Sequence, residues 1–279
     1  MGKTLSPLRY PGGKSQTIRS VQRLIEKNEF GRRLYVEPFA GGFGVGIALL
    51  VNNVIDQAII NDLDHHVYHF WHSVLYHTND MIELVNKTEI TLEERQNQKE
   101  IYNDVTSTPV QDGFATLFLN RVNYSGVLFA GPIGGKGQLS AYSLDCRFNK
   151  KDIIKRIQIV SQLRERIRLY NLDACELITH ELAADNAHAF YNIDPPYVKK
   201  GKSLYTEYFT EQNHREFGAV VRDNLANVPW IITYDNCPLV REIYRDYLIK
   251  EFELYHSAHD RTVGAELIIS NISEKMFIW

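Results

Sequence analysis

Arg33-Leu34-Tyr35-Val36-Glu37-Pro38-Phe39-Ala40-Gly41-Gly42-Phe43-Gly44-Val45-Gly46 is the stretch on which the reading of the fold turns. Residues 33–37 are an apolar run of strand length, 38–46 a glycine-rich turn, and Val45 to Val51 the opening of a helix. Ala58-Ile59-Ile60-Asn61-Asp62 is the next strand and ends in an acid. A strand, a glycine-rich turn, a helix and a carboxylate closing the second strand is how α/β folds hold an adenosine moiety. Glycines let the backbone approach the ligand, and the acid accepts from ribose hydroxyls. The strict fingerprint G-x-G-x-x-G is absent: counted from Gly42 and Gly44 the third position is Ile47, and from Gly44 and Gly46 it is Leu49. That counts against a nicotinamide dehydrogenase and fits a ligand without a pyrophosphate to cradle, such as S-adenosylmethionine.

A second strand ending carries the other half of the chemistry. Phe190-Tyr191-Asn192-Ile193 reads as a buried strand that runs into Asp194-Pro195-Pro196-Tyr197. Two successive prolines fix φ and remove two backbone donors, so neither helix nor ladder continues through them. The Asp194 carboxylate and the Pro195 carbonyl can each accept an N–H from an exocyclic amine, and Tyr197 offers a ring for a flat base to stack on. In an open α/β sheet such strand ends border the ligand crevice.

The chain has 279 residues, 44% of them hydrophobic and 23% charged, as in an ordinary globular protein. Cys146, Cys175 and Cys237 lie far apart, which indicates neither a disulfide framework nor a zinc site and fits a reducing cytoplasm. No signal peptide or membrane-length apolar run is visible, and Met1–Ser6 matches the myristoylation pattern only loosely. The net charge is −3, but it is unevenly divided. Residues 113–170 carry ten Lys/Arg against three acids, +7, between flanks of −3 and −7. A basic middle is the footprint of a segment that meets phosphates. Residues 149–168 also read as an amphipathic helix capped by Asn149, with Ile153, Ile157, Val160 and Ile167 in its stripe.

With Leu8-Arg9-Tyr10-Pro11-Gly12-Gly13-Lys14 added, the sequence resembles the Dam-type (class D12) N6-adenine-specific DNA methyltransferases. R-Y-P-G-G-K, V-E-P-F-A-G-G-F-G-V-G at 36–46, N-D at 61–62 and D-P-P-Y at 194–197 stand in the family's order. Leu119-Asn120-Arg121 with Tyr124-Ser125-Gly126, Ile231 to Asp235, and Glu266 to Ile269 extend the likeness over most of the chain. The resemblance implies an α/β fold, a Rossmann-like class I S-adenosylmethionine-dependent methyltransferase sheet. Residues 1–64 and 165–279 would form it, with a mostly helical target-recognition domain inserted at 65–164. It implies S-adenosyl-L-methionine as cofactor, held by Tyr10, Lys14, Glu37, Gly41, Gly42, Gly44, Asp62 and, at the adenine end, Asp173. Asp194, Pro195, Pro196 and Tyr197 would carry catalysis, on an adenine flipped out of the duplex.

The implied partner is double-stranded DNA, with a separate cognate restriction endonuclease as an option and no obligate protein partner. A cytoplasmic, bacterial or phage-encoded site-specific DNA-methyltransferase (adenine-specific) is the expectation. Asn120, Arg121, Tyr124, Ser125, Lys136, Arg147, Lys150, Lys151, Lys199 and Lys200 are its DNA-binding residues. GATC-type members read N-R-x-x-Y-N-G-L-x-R in the insert; here Ser125 replaces the Asn and Phe129 the second Arg, which points to another or a relaxed target. The rival readings are an amino-methyltransferase acting on RNA or a protein amide, and a DNA-binding relative without catalysis. His65, His69 and His72 share a helical face without a nearby Cys, so no metal is expected. Thr91-Leu92-Glu93-Glu94 reads as a capping box, and Phe114, Leu117 and Phe118 as the core of the insert.

Overall fold

The computed structural model of the protein describes residues 5–9, 14–28, 34–182, 188–198, 209–255, 263–277 and 279. Its strands are β1 (Leu34–Glu37), β2 (Gln57–Asn61), β3 (Ile167–Tyr170), β4 (Ala189–Ile193), β5 (Trp230–Asp235), β6 (Leu248–Tyr255) and β7 (Val263–Ser270). Its α-helices are α1 (Ile18–Asn28), α2 (Gly44–Val51), α3 (His65–Tyr76), α4 (Thr78–Lys87), α5 (Leu92–Asn103) and α6 (Pro109–Val122). They continue as α7 (Lys150–Ser161), α8 (Ala174–Glu176), α9 (Glu211–Asn224) and α10 (Pro238–Ile243). Two compact units result, one of residues 1–2, 14–63 and 166–279, the other of 3–13 and 64–165.

The first unit is the expected Rossmann-like α/β sheet, in the order β3-β2-β1-β4-β5-β7-β6. β1 to β5 run parallel, and β7 is antiparallel to both β5 and β6. Parallel strands covered on both faces need unbroken apolar runs. β1, β4 and β5 are accordingly buried at every residue, Trp230 and Tyr191 being among the largest side chains of the core. α2 is apolar all round and buried from Val45 to Leu50, as a helix enclosed by protein must be. Gly46 is required there, because a Cβ would stand 2.2 Å from the Phe43 ring, and Phe43 itself turns the chain at φ 46°. The chain builds outward from β1 to β3, then returns to place β4 on the other side of β1. That reversal is the switch point where a crevice opens at the carboxyl ends of the strands.

The second unit is built on α3 to α7. α6 is buried from Asp112 to Val122, Phe114, Leu117 and Phe118 included, and is opened by a full capping box at Thr108 and Gln111. Thr91 makes only half of the box read from the sequence, accepting from Glu94 N at 3.0 Å. Asn149 caps α7 by accepting from Asp152 N at 3.0 Å, but the helix ends at Ser161 and Ile167 belongs to β3. Residues 5–9 are tied into this unit: Asn120 clamps both backbone groups of Arg9 (2.7 and 2.8 Å), and Arg121 donates to the Pro7 carbonyl. No helix among the described residues is long and apolar enough to cross a membrane.

Candidate functional site

Glu37, at the end of β1, stands at one side of the switch point and is buried. The Tyr35 hydroxyl and the Gly46 N–H both donate to its Oε1, at 2.7 and 3.2 Å. Burial still pushes this carboxyl up to about 8, because the hydrogen bonds from Tyr35, Gly46 and Asn192 replace too little of its lost hydration and the Asp194 charge adds to the rise. A buried acid that resists ionisation is a ready partner for an arriving cation. At the end of β2, Asp62 accepts the Gly41 N–H at 2.8 Å through Oδ2, and Gly41 has φ 44°, which glycine adopts without strain. The glycine-rich turn is thus held against the acid that follows β2.

Asn61, buried beside Asp62, is a brace that the sequence reading passed over. Its Nδ2 donates to the Pro38 and Leu172 carbonyls, both at 2.9 Å, and its Oδ1 accepts from Leu172 N at 3.0 Å. One amide therefore joins the turn after β1 to the segment after β3. Asp173 follows that segment and caps α8, accepting from Cys175 N at 2.8 Å and Glu176 N at 3.4 Å. Tyr10, from the N-terminal motif, lies outside the described residues, as do Lys199 and Lys200 after D-P-P-Y.

On the other side of the switch point, β4 delivers Asp194. Its Oδ1 accepts from the Thr233 hydroxyl on β5 at 2.7 Å and faces the Lys14 ammonium at 3.3 Å. Its Oδ2 has no partner among the described residues. Burial raises the Asp194 carboxyl above its usual range, while Lys14 and Thr233 pull the other way. Lys14 is itself almost buried and donates to Glu266 Oε2 at 2.9 Å and to the Tyr197 oxygen at 2.5 Å. The Tyr197 hydroxyl donates to the same Glu266 oxygen at 2.6 Å. Burial works against the Lys14 charge, but Asp194 and Glu266 together outweigh it and hold its pKa above the ordinary lysine value.

Tyr197 corrects an expectation. Its ring is 8% exposed within the core cluster, with the Lys14 ammonium 5.0 Å from its centroid, so it is not an open platform for a base. Its contribution is the hydroxyl. Thr233 and Glu266 are neighbours of this cluster to which the sequence assigned no role; Thr233 on β5 bonds to Asp194, and Glu266 on β7 bonds to the Lys14 that faces it.

Within the second unit, the candidate DNA-facing residues divide. Asn120 and Arg121 are buried, and their polar groups are taken by residues 5–9, Gly126 and Arg147. Burial, with Arg156 and Arg9 nearby, lowers the Arg121 pKa to about 9. A base-edge contact from Arg121 is therefore not the arrangement found; the guanidinium is a brace for backbone carbonyls. Lys150 donates to the carbonyls of Asn86 and Thr88 at 2.8 and 2.7 Å, closing the C-terminal end of α4. Tyr124, Ser125, Lys136, Arg147 and Lys151 do reach the surface, although Ser125 is only partly exposed. Ser125 has φ 55°, a left-handed conformation that Asn tolerates better than Ser. On α3, His69 shares the buried Asp112 carboxylate with His66, at 2.7 and 2.6 Å, which ties α3 to α6.

A family model, D12 class N6 adenine-specific DNA methyltransferase, matches residues 10–263 of this chain. Among curated proteins, the type II methyltransferase M.MjaIII of Methanocaldococcus jannaschii is 24% identical over 218 residues, 72% of each chain. Among solved structures, an uncharacterized protein of Listeria monocytogenes serotype 4b aligns at a TM-score of 0.39 and 13% identity, covering 92% of this chain and 70% of its own. The rRNA methyltransferase aviRa of Streptomyces viridochromogenes aligns at 0.39 and 12%, covering 91% and 82%.

Proposed function

Since the chain belongs to the D12 class of N6 adenine-specific DNA methyltransferases, we propose that it moves a methyl group from S-adenosylmethionine to the N6 amine of an adenine flipped out of DNA, with Asp194 as the acceptor that aligns the amine. The observation that carries this reading is the division of labour within one carboxylate. Oδ1 is anchored by Thr233 and Lys14, and Oδ2 has no partner among the described residues.

When bound, S-adenosylmethionine supplies a methyl group made electrophilic by a sulfonium. Glu37, Gly41 and Asp62 are the residues that fit it. The first is a buried acid that would suit an ammonium, the second would let the backbone come close to the ligand, and the third is a carboxylate that would accept from ribose hydroxyls; Gly42 and Gly44 complete the turn, and Asp173 would stand at the adenine end. An aromatic amine is a poor nucleophile because its lone pair is delocalised into the ring. Hydrogen bonds from the amine to Asp194 Oδ2 and the Pro195 carbonyl favour a tetrahedral nitrogen with its lone pair directed at the methyl carbon. Pro195 and Pro196 hold that carbonyl rigid. Asp194 Oδ2 would take the excess proton that methylation leaves on the nitrogen. The protein's contribution is in-line positioning and stabilisation of the positive charge growing on nitrogen.

A base inside a duplex is out of reach of such a site, which is why flipping is part of the reading. DNA contact is assigned to Tyr124, Lys136, Arg147 and Lys151, with Lys199 and Lys200 added from the sequence alone. Phe129 in place of an arginine supports a target other than GATC. Asp194→Ala tests the central claim. Methyl transfer to adenine, followed with tritiated S-adenosylmethionine, should fall below detection while cofactor binding and the melting temperature stay near wild type. Substantial turnover in a folded variant would remove Asp194 from the mechanism.

A further inference from the structure

Glu266 lies on β7, opposite Asp235 of β5 in register and opposite Phe252 of β6, with its side chain only 3% exposed. A carboxylate there is costly unless it serves something. Its Oε2 receives the Lys14 ammonium at 2.9 Å and the Tyr197 hydroxyl at 2.6 Å. Titratable groups near it among the described residues include Asp194, which shares Lys14, and Asp235, whose Oδ1 accepts the Val198 N–H at 3.0 Å. Asp194 in turn helps to raise the Glu37 carboxyl.

We propose that Glu266 is a positioning residue for methyl transfer: it takes the closer share of the Lys14 ammonium, at 2.9 Å against 3.3 Å to Asp194 Oδ1, so that the ion pair to Lys14 does not fully neutralise Asp194 and its charge stays available to the adenine amine. The distances carry the argument. An ammonium has three N–H groups, and here three acceptors surround it: the Tyr197 oxygen at 2.5 Å, Glu266 Oε2 at 2.9 Å and Asp194 Oδ1 at 3.3 Å. Asp194 is the most distant of the three. One lysine among two carboxylates leaves a surplus negative charge, and that surplus must be shared between Glu266 and Asp194. With Glu266 neutral, the ammonium would no longer be shared and its existing pair with Asp194 would tighten, neutralising the charge that the developing methylammonium needs. The Tyr197 hydroxyl fixes the geometry, because donating to Glu266 turns its lone pair toward Lys14.

This inference rests on the proposed adenine chemistry and deepens it. The test is methyl transfer to plasmid DNA free of adenine methylation, by wild type and Glu266→Gln, over a range of pH. Activity should require ionised Asp194 and be lost as pH falls through its pKa. Removing the negative charge of Glu266 lowers that pKa, so the acid limb of the variant's kcat profile should move to lower pH by about one unit. Plateau kcat should fall roughly 10- to 100-fold, with KM for DNA and cofactor nearly unchanged. A merely structural glutamate would lower the melting temperature and leave the limb in place. An unmoved limb with wild-type kcat, in a wild type that methylates adenine, overturns this inference alone. A wild type that methylates no adenine overturns the underlying reading and this inference with it. Should Glu266→Gln fail to fold, Glu266→Asp carries the test. That variant keeps the charge but withdraws it, so lowered kcat with a smaller shift of the limb in the same direction supports the inference, and wild-type kinetics sink it.

Discussion

Glu37 illustrates at the residue scale how a binding group works against the fold that holds it. An unperturbed glutamate titrates near 4.5, and here burial carries the group to about 8. Below the unfolded value both states are protonated and the residue costs nothing. Between the two values the unfolded chain gives up its proton while the folded chain keeps it, so stability falls as pH rises. Above the folded value the full penalty applies, roughly 3–5 kcal/mol. Glu37→Gln should therefore gain melting temperature over wild type progressively from pH 5 to pH 9, while binding S-adenosylmethionine more weakly. Thermal scans of both proteins at three pH values check it; parallel curves would mean that Glu37 is not held protonated. Wild-type affinity for the cofactor should in turn rise with pH through this range, because an ionised Glu37 is the form that pairs with an ammonium.

At the scale of elements, several side chains that resemble recognition residues in the sequence are braces between segments. Asn120 holds Arg9 from both sides and also donates to Gly126 O at 2.8 Å. Asn120→Ala should destabilise the protein by about 1–3 kcal/mol, the cost of leaving buried backbone groups unpaired. If it instead lowers discrimination between DNA sequences at unchanged stability, the amide reads bases after all. Asn61 belongs to the same class, one amide serving the ends of two parallel connections. Neither role is visible in a linear motif, because each amide also bonds to backbone more than a hundred residues away, Arg9 for Asn120 and Leu172 for Asn61. The capping boxes tell a similar story on a smaller scale: Thr91 has the right spacing but makes one bond, whereas Thr108 makes both.

At the scale of the whole molecule, the +7 charge of residues 113–170 is not all available to a phosphate backbone. Arg121 is buried, Lys150 closes α4, and Arg166 donates to backbone carbonyls of Asp56, Ile55 and Leu50. Lys136, Arg147 and Lys151 remain exposed. Replacing these three by Ala should weaken DNA binding on every sequence and reduce the salt slope by up to about three units. Lys150→Ala should instead cost stability more than it changes the slope. Salt titrations of both variants on two unrelated duplexes separate the outcomes, and an unchanged slope in the triple variant would move the phosphate contacts elsewhere. Sequencing methylated adenines in DNA from cells expressing the chain should return a target other than GATC; strict GATC methylation would overturn that expectation.

The sequence by itself determined the class of fold and the ends of the strands that matter. Apolar runs of strand length, a glycine-rich turn and two prolines are local signals, and each restricts its own backbone whatever surrounds it. They placed Glu37, Asp62 and Asp194 at strand termini, and the motif order pointed to the family that the family match bears out. The tertiary structure alone decided which groups share a proton or a charge. Thr233 meets Asp194 because β4 pairs with β5, and Glu266 reaches the Lys14 that faces Asp194 from β7, the antiparallel neighbour of β5. It likewise turned Tyr197 inward and Arg121 into a brace, because burial is a property of the folded surface, and an aromatic ring or guanidinium in a motif carries no mark of which side of that surface it will occupy.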